Sequence, residues 1–254
     1  MEKNFSINKF NDILSQLGIK KGDIILVNAN ILNFIIKGKK NFVPEDFIDC
    51  LKKRVTNKGT LIFPTYSWEF CEKRTFNYKL TRTISGALSN ITLQRKDFKR
   101  TKNPIFSFTV YGSKKKTLCD MNHSNCFSLN SPFGYLIKNK AKHFFINLDY
   151  QDAMTFVHVA EQLEKVKYRY MKTFNGIYID ESNNIKKRKY KMFVRKKNIK
   201  ETIIDKKFDQ ILNKNKNIKK VFFNKISFSV LDINSTFRQM RKEIRIKSGL
   251  IKYV

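Results

Sequence analysis

The stretch "FNDILSQLGIKKGDIILVNANI", residues 10–31, indicates the fold class. Its first half places apolar residues at helical spacing and reaches Gly18, a residue type that commonly ends helices. After the polar connection "KKGD", the apolar run at residues 24–27 is typical of a buried strand. A helix followed at once by a buried strand is one unit of a layered α/β protein.

The same alternation continues along the chain. Residues 43–55, "VPEDFIDCLKKRV", predict a helix that begins at Pro44, and residues 59–68, "GTLIFPTYSW", predict a buried strand. Similar patterns predict helices at 83–95 and 131–140 and strands at 106–112 and 142–149. We therefore expect an α/β fold in which a layered mixed β-sheet is flanked by helices.

The last third of the chain has a different character. Residues 177–195 form two alternating runs around the polar turn "ESNN", which predicts a β-hairpin. Residues 208–249 predict a helix, a short strand and a final helix that ends at Gly249. Neither an internal repeat nor a Pro/Gly/Ser linker interrupts the sequence, so we expect one domain over residues 1–254.

The formal net charge of +31 suggests an anionic partner. Lysine far outnumbers arginine, however, and Asn, Ile and Phe are also abundant, which is the usage expected of an AT-rich genome. Residues 186–200 are densely basic, with an apolar pattern that fits either a strand with a solvated face or an anion-binding surface. Because the aromatic residues mostly lie in apolar runs, a nucleic-acid-binding protein is the less favoured alternative.

Several classes of protein do not fit the sequence. The chain has no uninterrupted apolar stretch of about 20 residues and no export signal, so a cytoplasmic protein is expected. Its four cysteines are scattered without close pairs, and His123 near Cys126 lacks a second ligand cluster. We therefore predict buried thiols and no metal site.

The segment "TFVHVAEQLEKVKYRY", residues 155–170, contains the candidate catalytic pair. Its apolar residues fall on one helical stripe, formed by Phe156, Val159, Ala160 and Leu163. His158 and Glu161 lie three positions apart on the opposite face, so we predict that neither belongs to the core. Two interpretations stay open, a solvated helix face and an acid/base pair beneath a cleft.

The second interpretation draws on the position of this helix after a buried strand, because ligands gather at the carboxyl ends of strands in open α/β sheets. Asp152 and Thr155 would then lie at the mouth of the cleft. A neutral imidazole is a base near physiological pH, and a neighbouring carboxylate fixes its tautomer. Since no "GxSxG" motif is present, the nucleophile is expected to come from the substrate.

The helix and five other motifs resemble the aminoglycoside 3-N-acetyltransferase family. Residues 155–170 resemble its T-x-x-H-x-A-E segment, which a Tyr-Arg pair follows after a short spacer. In the same order as the family, the chain has "LGIKKGD", "GTLIFPT", "SGAL", "NPIFSFTVYG" and "SPFGYL". The resemblance covers roughly residues 8 to 180, and several weak motifs in a shared order are more specific than any one of them.

The resemblance implies transfer of an acetyl group from acetyl-CoA directly to an amine, without a metal and without a covalent acyl-enzyme. His158 would be the general base, and Glu161 would orient it. Backbone N–H groups or the hydroxyls of Thr65 and Ser67 are candidate donors to the reaction's oxyanion, and the alternative is that these two residues only form a turn at the end of the strand. The remaining implied contacts are to the acceptor (Asp152, Thr155 and Tyr66) and to the acyl donor (Asn28, Asn30, Thr65, Ser67 and Ser107).

The sequence departs from the family at two places. Asn28, Ala29 and Asn30 occupy a segment where the family has His and Ser, and Asn103 precedes Pro104 where the family has His. These departures change the side chains expected at the acyl-donor site, and they leave the identity of the transferred acyl group open.

Charge bears on the choice of acceptor. A protein of net charge +31 repels a polycationic aminoglycoside and attracts an amino sugar carried on a nucleotide diphosphate. We therefore expect a small-molecule amino-sugar acceptor, nucleotide-linked, of the kind used for surface polysaccharides. An aminoglycoside antibiotic is the alternative within the family, and a homo-oligomer is compatible with the sequence.

Overall fold

The computed structural model of the protein describes residues 5–32, 43–199, 202–247 and 251–253. The helices are α1 (Ile7–Gln16), α2 (Pro44–Val55), α3 (Glu69–Glu72), α4 (Ala87–Gln94), α5 (Lys115–Asp120), α6 (Pro132–Lys138), α7 (Tyr150–Ala153), α8 (Val157–Leu163), α9 (Lys207–Lys214) and α10 (Ile233–Arg245). The strands are β1 (Ile24–Ala29), β2 (Thr60–Pro64), β3 (Thr75–Asn77), β4 (Lys99–Arg100), β5 (Phe108–Gly112), β6 (Lys142–Ile146), β7 (Arg169–Ile179), β8 (Ile185–Arg195), β9 (Thr202–Ile204), β10 (Ile218–Phe223), β11 (Ile226–Asp232) and β12 (Ile251–Tyr253).

A seven-stranded mixed sheet forms the centre of the structure, in the order β10-β11-β6-β1-β2-β5-β4. Strand β1 lies between β2 and β6 and pairs with both in parallel. The outer neighbours β11 and β5 pair antiparallel with β6 and β2. The carboxyl ends of the three parallel strands therefore lie together at one edge, the expected place for a ligand.

The two faces of this sheet bury different helices. Leu61 and Phe63 of β2 pack in one apolar cluster with α1 and α2, whereas Ile62 between them packs in a second cluster with α8 and α10. Successive residues of a strand point to opposite faces, so a strand buried on both sides is apolar at every position. The predicted layered mixed sheet flanked by helices is confirmed.

The local signals around β1 and β2 have the predicted roles. Gly18 follows α1 with a φ of +72°, a conformation that glycine adopts without steric cost, and Pro44 is the first residue of α2. At Gly112 a φ of +97° is combined with crowding, because a Cβ there would lie 2.0 Å from the carbonyl oxygen of Gly59. This close approach brings the end of β5 against the start of β2.

A second sheet of three strands, in the order β3-β7-β8, contains the predicted hairpin. The hairpin strands β7 and β8 pair antiparallel over their whole length, and β3 adds in parallel to β7. β3 has only three residues, too few to show an alternating pattern in the sequence. The basic segment after residue 185 does form a strand with mostly exposed lysines.

The C-terminal prediction was incomplete. Two antiparallel strands, β10 and β11, lie where one short strand was expected, and β11 joins the edge of β6. Their turn uses Asn224 and Lys225 at positive φ, and because such turns normally have Asn-Gly, the hairpin signal was absent. Helix α10 ends at Arg245, before the expected end at Gly249, which lies outside the described residues.

No helix in the described ranges has the length and apolarity needed to cross a membrane.

Candidate active site

Helix α8 follows the carboxyl end of β6, after the short helix α7, and contains the predicted pair. His158 Nδ1 and Glu161 Oε2 lie 2.6 Å apart. The His158 side chain is 23 % exposed, whereas that of Glu161 is 1 % exposed. The pair therefore joins a solvent-accessible imidazole to an enclosed carboxylate.

The burial of Glu161 corrects the prediction that neither residue belongs to the core. The chain leaves α8 and turns, and it brings Tyr168 and Arg169, the first residue of β7, beside the Glu161 carboxylate. The Tyr168 hydroxyl donates to Oε1 at 2.8 Å, and Arg169 Nε lies 2.7 Å from Oε2 as an ion pair. Helical periodicity separates the faces of a helix, but it does not reveal which later segment covers the polar face.

These two residues had no predicted role, although their Tyr-Arg sequence was part of the family resemblance. Arg169 is itself 9 % exposed on its side chain, and its Nη1 donates to the carbonyl oxygen of Phe193 at 3.2 Å. Both ends of the guanidinium are thus engaged. The arrangement holds the Glu161 carboxylate in one orientation.

Burial on its own raises the pKa of Glu161, because a low-dielectric environment disfavours the charged form. The hydrogen bond and charge of His158, the charge of Arg169 and the hydrogen bond from Tyr168 oppose this effect and leave the pKa below its ordinary value. Glu161 is therefore ionised at neutral pH.

The ionised carboxylate decides the tautomer of His158. A carboxylate only accepts hydrogen bonds, so the Nδ1–H group of His158 must be the donor in the 2.6 Å contact. In the neutral ring, Nε2 then has a free lone pair. The ring packs edge-on against Phe127 with centroids 5.0 Å apart, which fixes its plane. His158 Nε2 is therefore a base with a fixed position and orientation.

Two of the three predicted acceptor-binding residues are brought together. The Tyr66 phenol is hydrogen-bonded to the Thr155 side chain, and burial raises its pKa, so the phenol is neutral. The Tyr66 backbone N–H donates to Ser85 Oγ at 3.0 Å. Asp152 is exposed on α7, and within the described residues no side-chain hydrogen bond links it to Thr155 or His158.

The three hydroxyls assigned to the acyl donor are enclosed. Thr65 and Ser107 are both fully buried, and their hydroxyl oxygens lie 2.9 Å apart. The guanidinium of Arg100 donates to Ser107 Oγ at 3.0 Å and to the Thr65 carbonyl oxygen at 3.1 Å. Ser67 Oγ accepts from the Glu69 backbone N–H at 3.3 Å. In this conformation these groups shape the carboxyl end of β2, and direct contact with a donor stays a prediction.

Asn28 and Asn30 lie at the carboxyl end of β1, where Asn28 is half-buried and Asn30 is exposed. Asn28 Oδ1 lies 2.8 Å from Nε2 of His143, a fully buried residue of β6. Burial lowers the pKa of His143 to about 3, so this imidazole is neutral and donates from Nε2. The contact fixes the Asn28 carboxamide, and no sequence pattern predicted it because the two residues are 115 positions apart.

The sequence comparison identifies the family. The model of the family described as aminoglycoside 3-N-acetyltransferase matches residues 35–244, more than half of the chain. The chain belongs to this family. It is therefore an acyltransferase of the aminoglycoside 3-N-acetyltransferase type. A comparison with curated protein sequences finds no match.

Several solved structures share the fold at low sequence identity. The "AAC-IIIb binary with CoASH" structure has a TM-score of 0.79 and 16 % identity, covering 96 % of this chain and 98 % of that one. "Room temperature neutron/X-ray structure of sisomicin bound AAC-VIa" gives 0.79 and 14 %, with 96 % and 99 % covered. YokD from Bacillus subtilis gives 0.75 and 18 %, with 94 % and 98 % covered.

The second departure from the family motifs, Asn103, is fully buried. Its side chain lies 3.4 Å from His123 Nε2 and 3.7 Å from Cys126 Sγ, and its Oδ1 accepts from the backbone N–H of Ile105. Through these hydrogen bonds, Asn103 organises the loop before β5.

Across the described part of the chain, no group of three or more His, Cys, Asp and Glu side chains is arranged to hold a metal ion.

Proposed function

We propose that the protein is an acetyl-CoA-dependent N-acetyltransferase that acts by direct transfer to the amine of an amino sugar. The observation that carries the proposal is the 2.6 Å contact between His158 Nδ1 and the buried Glu161 carboxylate, which leaves Nε2 as a base. Family membership supplies the acyl-transfer chemistry. The proposed catalytic unit is one acyltransferase domain over residues 1–254.

His158 has one task in this scheme. Its Nε2 accepts a proton from the acceptor amine as the amine nitrogen forms its bond to the acyl carbon and the carbon–sulfur bond of the thioester breaks. The proton then resides on an imidazolium whose Nδ1–H faces an ionised carboxylate. Glu161 stabilises that cation and keeps the ring in place, while Tyr168 and Arg169 hold Glu161.

The acyl donor supplies the activated acetyl thioester. We assign its site to the carboxyl edge of β1 and β2, because the polar groups of Asn28 and Asn30 lie there and the parallel strands end there. The fixed carboxamide of Asn28 offers its N–H donors to an amide or carbonyl of the donor. A relative of this fold is described with bound CoASH, which supports the same class of donor here.

For the acceptor we propose a nucleotide-linked amino sugar that serves surface polysaccharide synthesis in the cytoplasm. The net charge of +31 favours an anionic acceptor over a polycation. The second candidate is an aminoglycoside, favoured by the relative described with bound sisomicin. Both candidates use the same base and differ only in the charge of the acceptor.

The test is acetyl transfer from acetyl-CoA to a panel of acceptors, with products identified by mass spectrometry. The panel contains nucleotide-diphosphate amino sugars, free amino sugars and sisomicin. We expect N-acetylation of a nucleotide-linked sugar and loss of about a hundredfold or more in His158→Ala. Gln162→Ala, on the same helix, is the matched control. Unchanged transfer in His158→Ala refutes the mechanism, and exclusive acetylation of sisomicin refutes the proposed acceptor.

A further inference from the structure

The hairpin β7–β8 presents a surface that the acyltransferase site does not use. Strand alternation places every second residue on one face, and the register pairs Thr173 with Lys191, Asn175 with Lys189 and Ile177 with Lys187. The opposite face is covered around Tyr178 and Tyr190, which are buried, and Tyr190 packs on Phe70 of α3. We call the uncovered side the outer hairpin face and define it by Met171, Thr173, Asn175, Ile177, Ile185, Lys187, Lys189 and Lys191.

The charge of this face is of one sign. Lys187, Lys189 and Lys191 are all exposed and follow one another on alternate positions, about 7 Å apart along the strand. Neither β7 nor β8 contains an acidic residue. The two acids of the connecting turn are paired elsewhere, Asp180 with Lys186 and Glu181 with Lys99. Within the described ranges, none of the three lysines lies within ion-pair distance of a carboxylate.

Apolar side chains are exposed beside these lysines. Ile185 is 71 % exposed, and Met171 and Ile177 are each 41 % exposed. These side chains are aliphatic, whereas a surface for single-stranded nucleic acid uses aromatic rings on which bases stack. A second copy of this chain would place lysine against lysine across a self-complementary contact. Lysines mixed with aliphatic groups suit a surface that combines anionic headgroups with an apolar interior.

We propose that the outer hairpin face binds the surface of an anionic phospholipid membrane. The lysines lie against the headgroup phosphates, and Met171, Ile177 and Ile185 enter the boundary between headgroups and acyl chains. Most of this face lies away from His158: Ile177, Ile185 and Lys187 are near the hairpin turn, whereas His158 shares the Glu161 carboxylate with Arg169 at the start of β7. The proposal is independent of which amine the enzyme acetylates.

Vesicle co-sedimentation tests the proposal with the full chain. The vesicles are phosphatidylcholine alone or phosphatidylcholine with about one third phosphatidylglycerol. We expect binding to the anionic vesicles only, with loss of most binding between about 0.1 M and 1 M salt. The triple variant Lys187→Gln, Lys189→Gln and Lys191→Gln should weaken partitioning roughly a hundredfold.

A matched control separates this face from the basic charge of the whole protein. The variant Lys20→Gln, Lys21→Gln and Lys58→Gln removes three exposed lysines from the connections before β1 and β2. If both triple variants lose binding equally, or if the wild type does not sediment, the proposal is wrong. Circular dichroism establishes that each variant is folded before comparison.

A further variant separates lipid from nucleic acid. Met171→Ser with Ile177→Ser keeps every charge, so it should weaken vesicle binding at least about threefold while leaving any oligonucleotide binding unchanged. Binding of a random oligonucleotide without binding to anionic vesicles overturns the proposal in favour of a nucleic-acid surface. Failure of the acetylation test leaves this result unaffected, because sedimentation needs no turnover.

Discussion

Replacing Glu161 with Gln removes the charge behind His158 while keeping the shape of the side chain. In the wild type, Oε1 accepts from Tyr168 at 2.8 Å, and Oε2 faces both His158 Nδ1 at 2.6 Å and Arg169 Nε at 2.7 Å. The single side-chain oxygen of glutamine can accept hydrogen bonds from only some of the three donors, His158, Tyr168 and Arg169. The amide N–H₂ group would face at least one of the remaining donors, with which it cannot form a hydrogen bond. The developing imidazolium then has no counter-charge, and Arg169 loses its only close carboxylate among the described residues.

The magnitude follows from the burial of the carboxylate. A hydrogen bond to a charged group contributes about 1.5–3 kcal/mol, and under the proposed mechanism that stabilisation applies to the transition state, in which His158 would gain the proton. At about 1.4 kcal/mol per factor of ten, kcat should fall by roughly 10- to 150-fold, with little change in the KM of the acceptor. The unpaired guanidinium, 9 % exposed, should also lower the free energy of unfolding by about 3 kcal/mol.

The assay is steady-state acetyl transfer at a fixed neutral pH, on protein shown to be folded by circular dichroism, with kcat and the KM of the acceptor determined for wild type and Glu161→Gln. The control is Glu164→Gln, which breaks ion pairs between the end of α8 and Arg241 and Arg245 of α10. That variant should lose stability and keep the kcat of the wild type. A kcat within a factor of three of wild type for Glu161→Gln would refute the reasoning.

Three further outcomes are expected. Tyr168→Phe removes one donor to Glu161 and keeps the ring, so kcat should fall about three- to tenfold; an unchanged kcat would leave Arg169 as the residue that holds the carboxylate. His143, neutral at a pKa of about 3, must stay unprotonated to fold, so its contribution to the free energy of unfolding should decline as pH falls below about 6.5, by up to about 1.4 kcal/mol per pH unit. Urea unfolding of wild type and His143→Gln from pH 7 to 4 measures this slope, and equal slopes would contradict the assignment. Desolvation raises the pKa of Asp97, but the hydrogen bonds and charges of Arg95 and Lys52 outweigh it and lower the pKa from the ordinary 3.8 to about 2. The ionised Asp97 therefore stabilises the fold fully above pH 3.8, and this contribution is lost as pH falls through about 2. Asp97→Asn should therefore cost about 1 kcal/mol at pH 7 after allowance for solvent screening, and urea unfolding extended down to pH 2 should show this difference vanish; a difference that persists at pH 2 would contradict the assignment.

Much of the architecture was readable from local patterns. The helix, turn and strand of residues 10–31 and the Pro44 start of α2 were predicted, because apolar periodicity and end signals act over a few residues. The hairpin β7–β8 was predicted on the same basis. Elements without such signals were missed, among them the three-residue β3 and the Asn224-Lys225 turn between β10 and β11.

The candidate pair was also readable, since His158 and Glu161 are three residues apart on one helix and their contact is local. The sequence by itself thus determined the fold class, the family and the local contact between His158 and Glu161. Only the tertiary structure decided how those residues are surrounded. Tyr168 and Arg169 bury Glu161 because β7 returns across α8, and His143 reaches Asn28 from 115 residues away. Such contacts depend on which strands become neighbours, and strand order results from the packing of the whole chain, which no local period encodes.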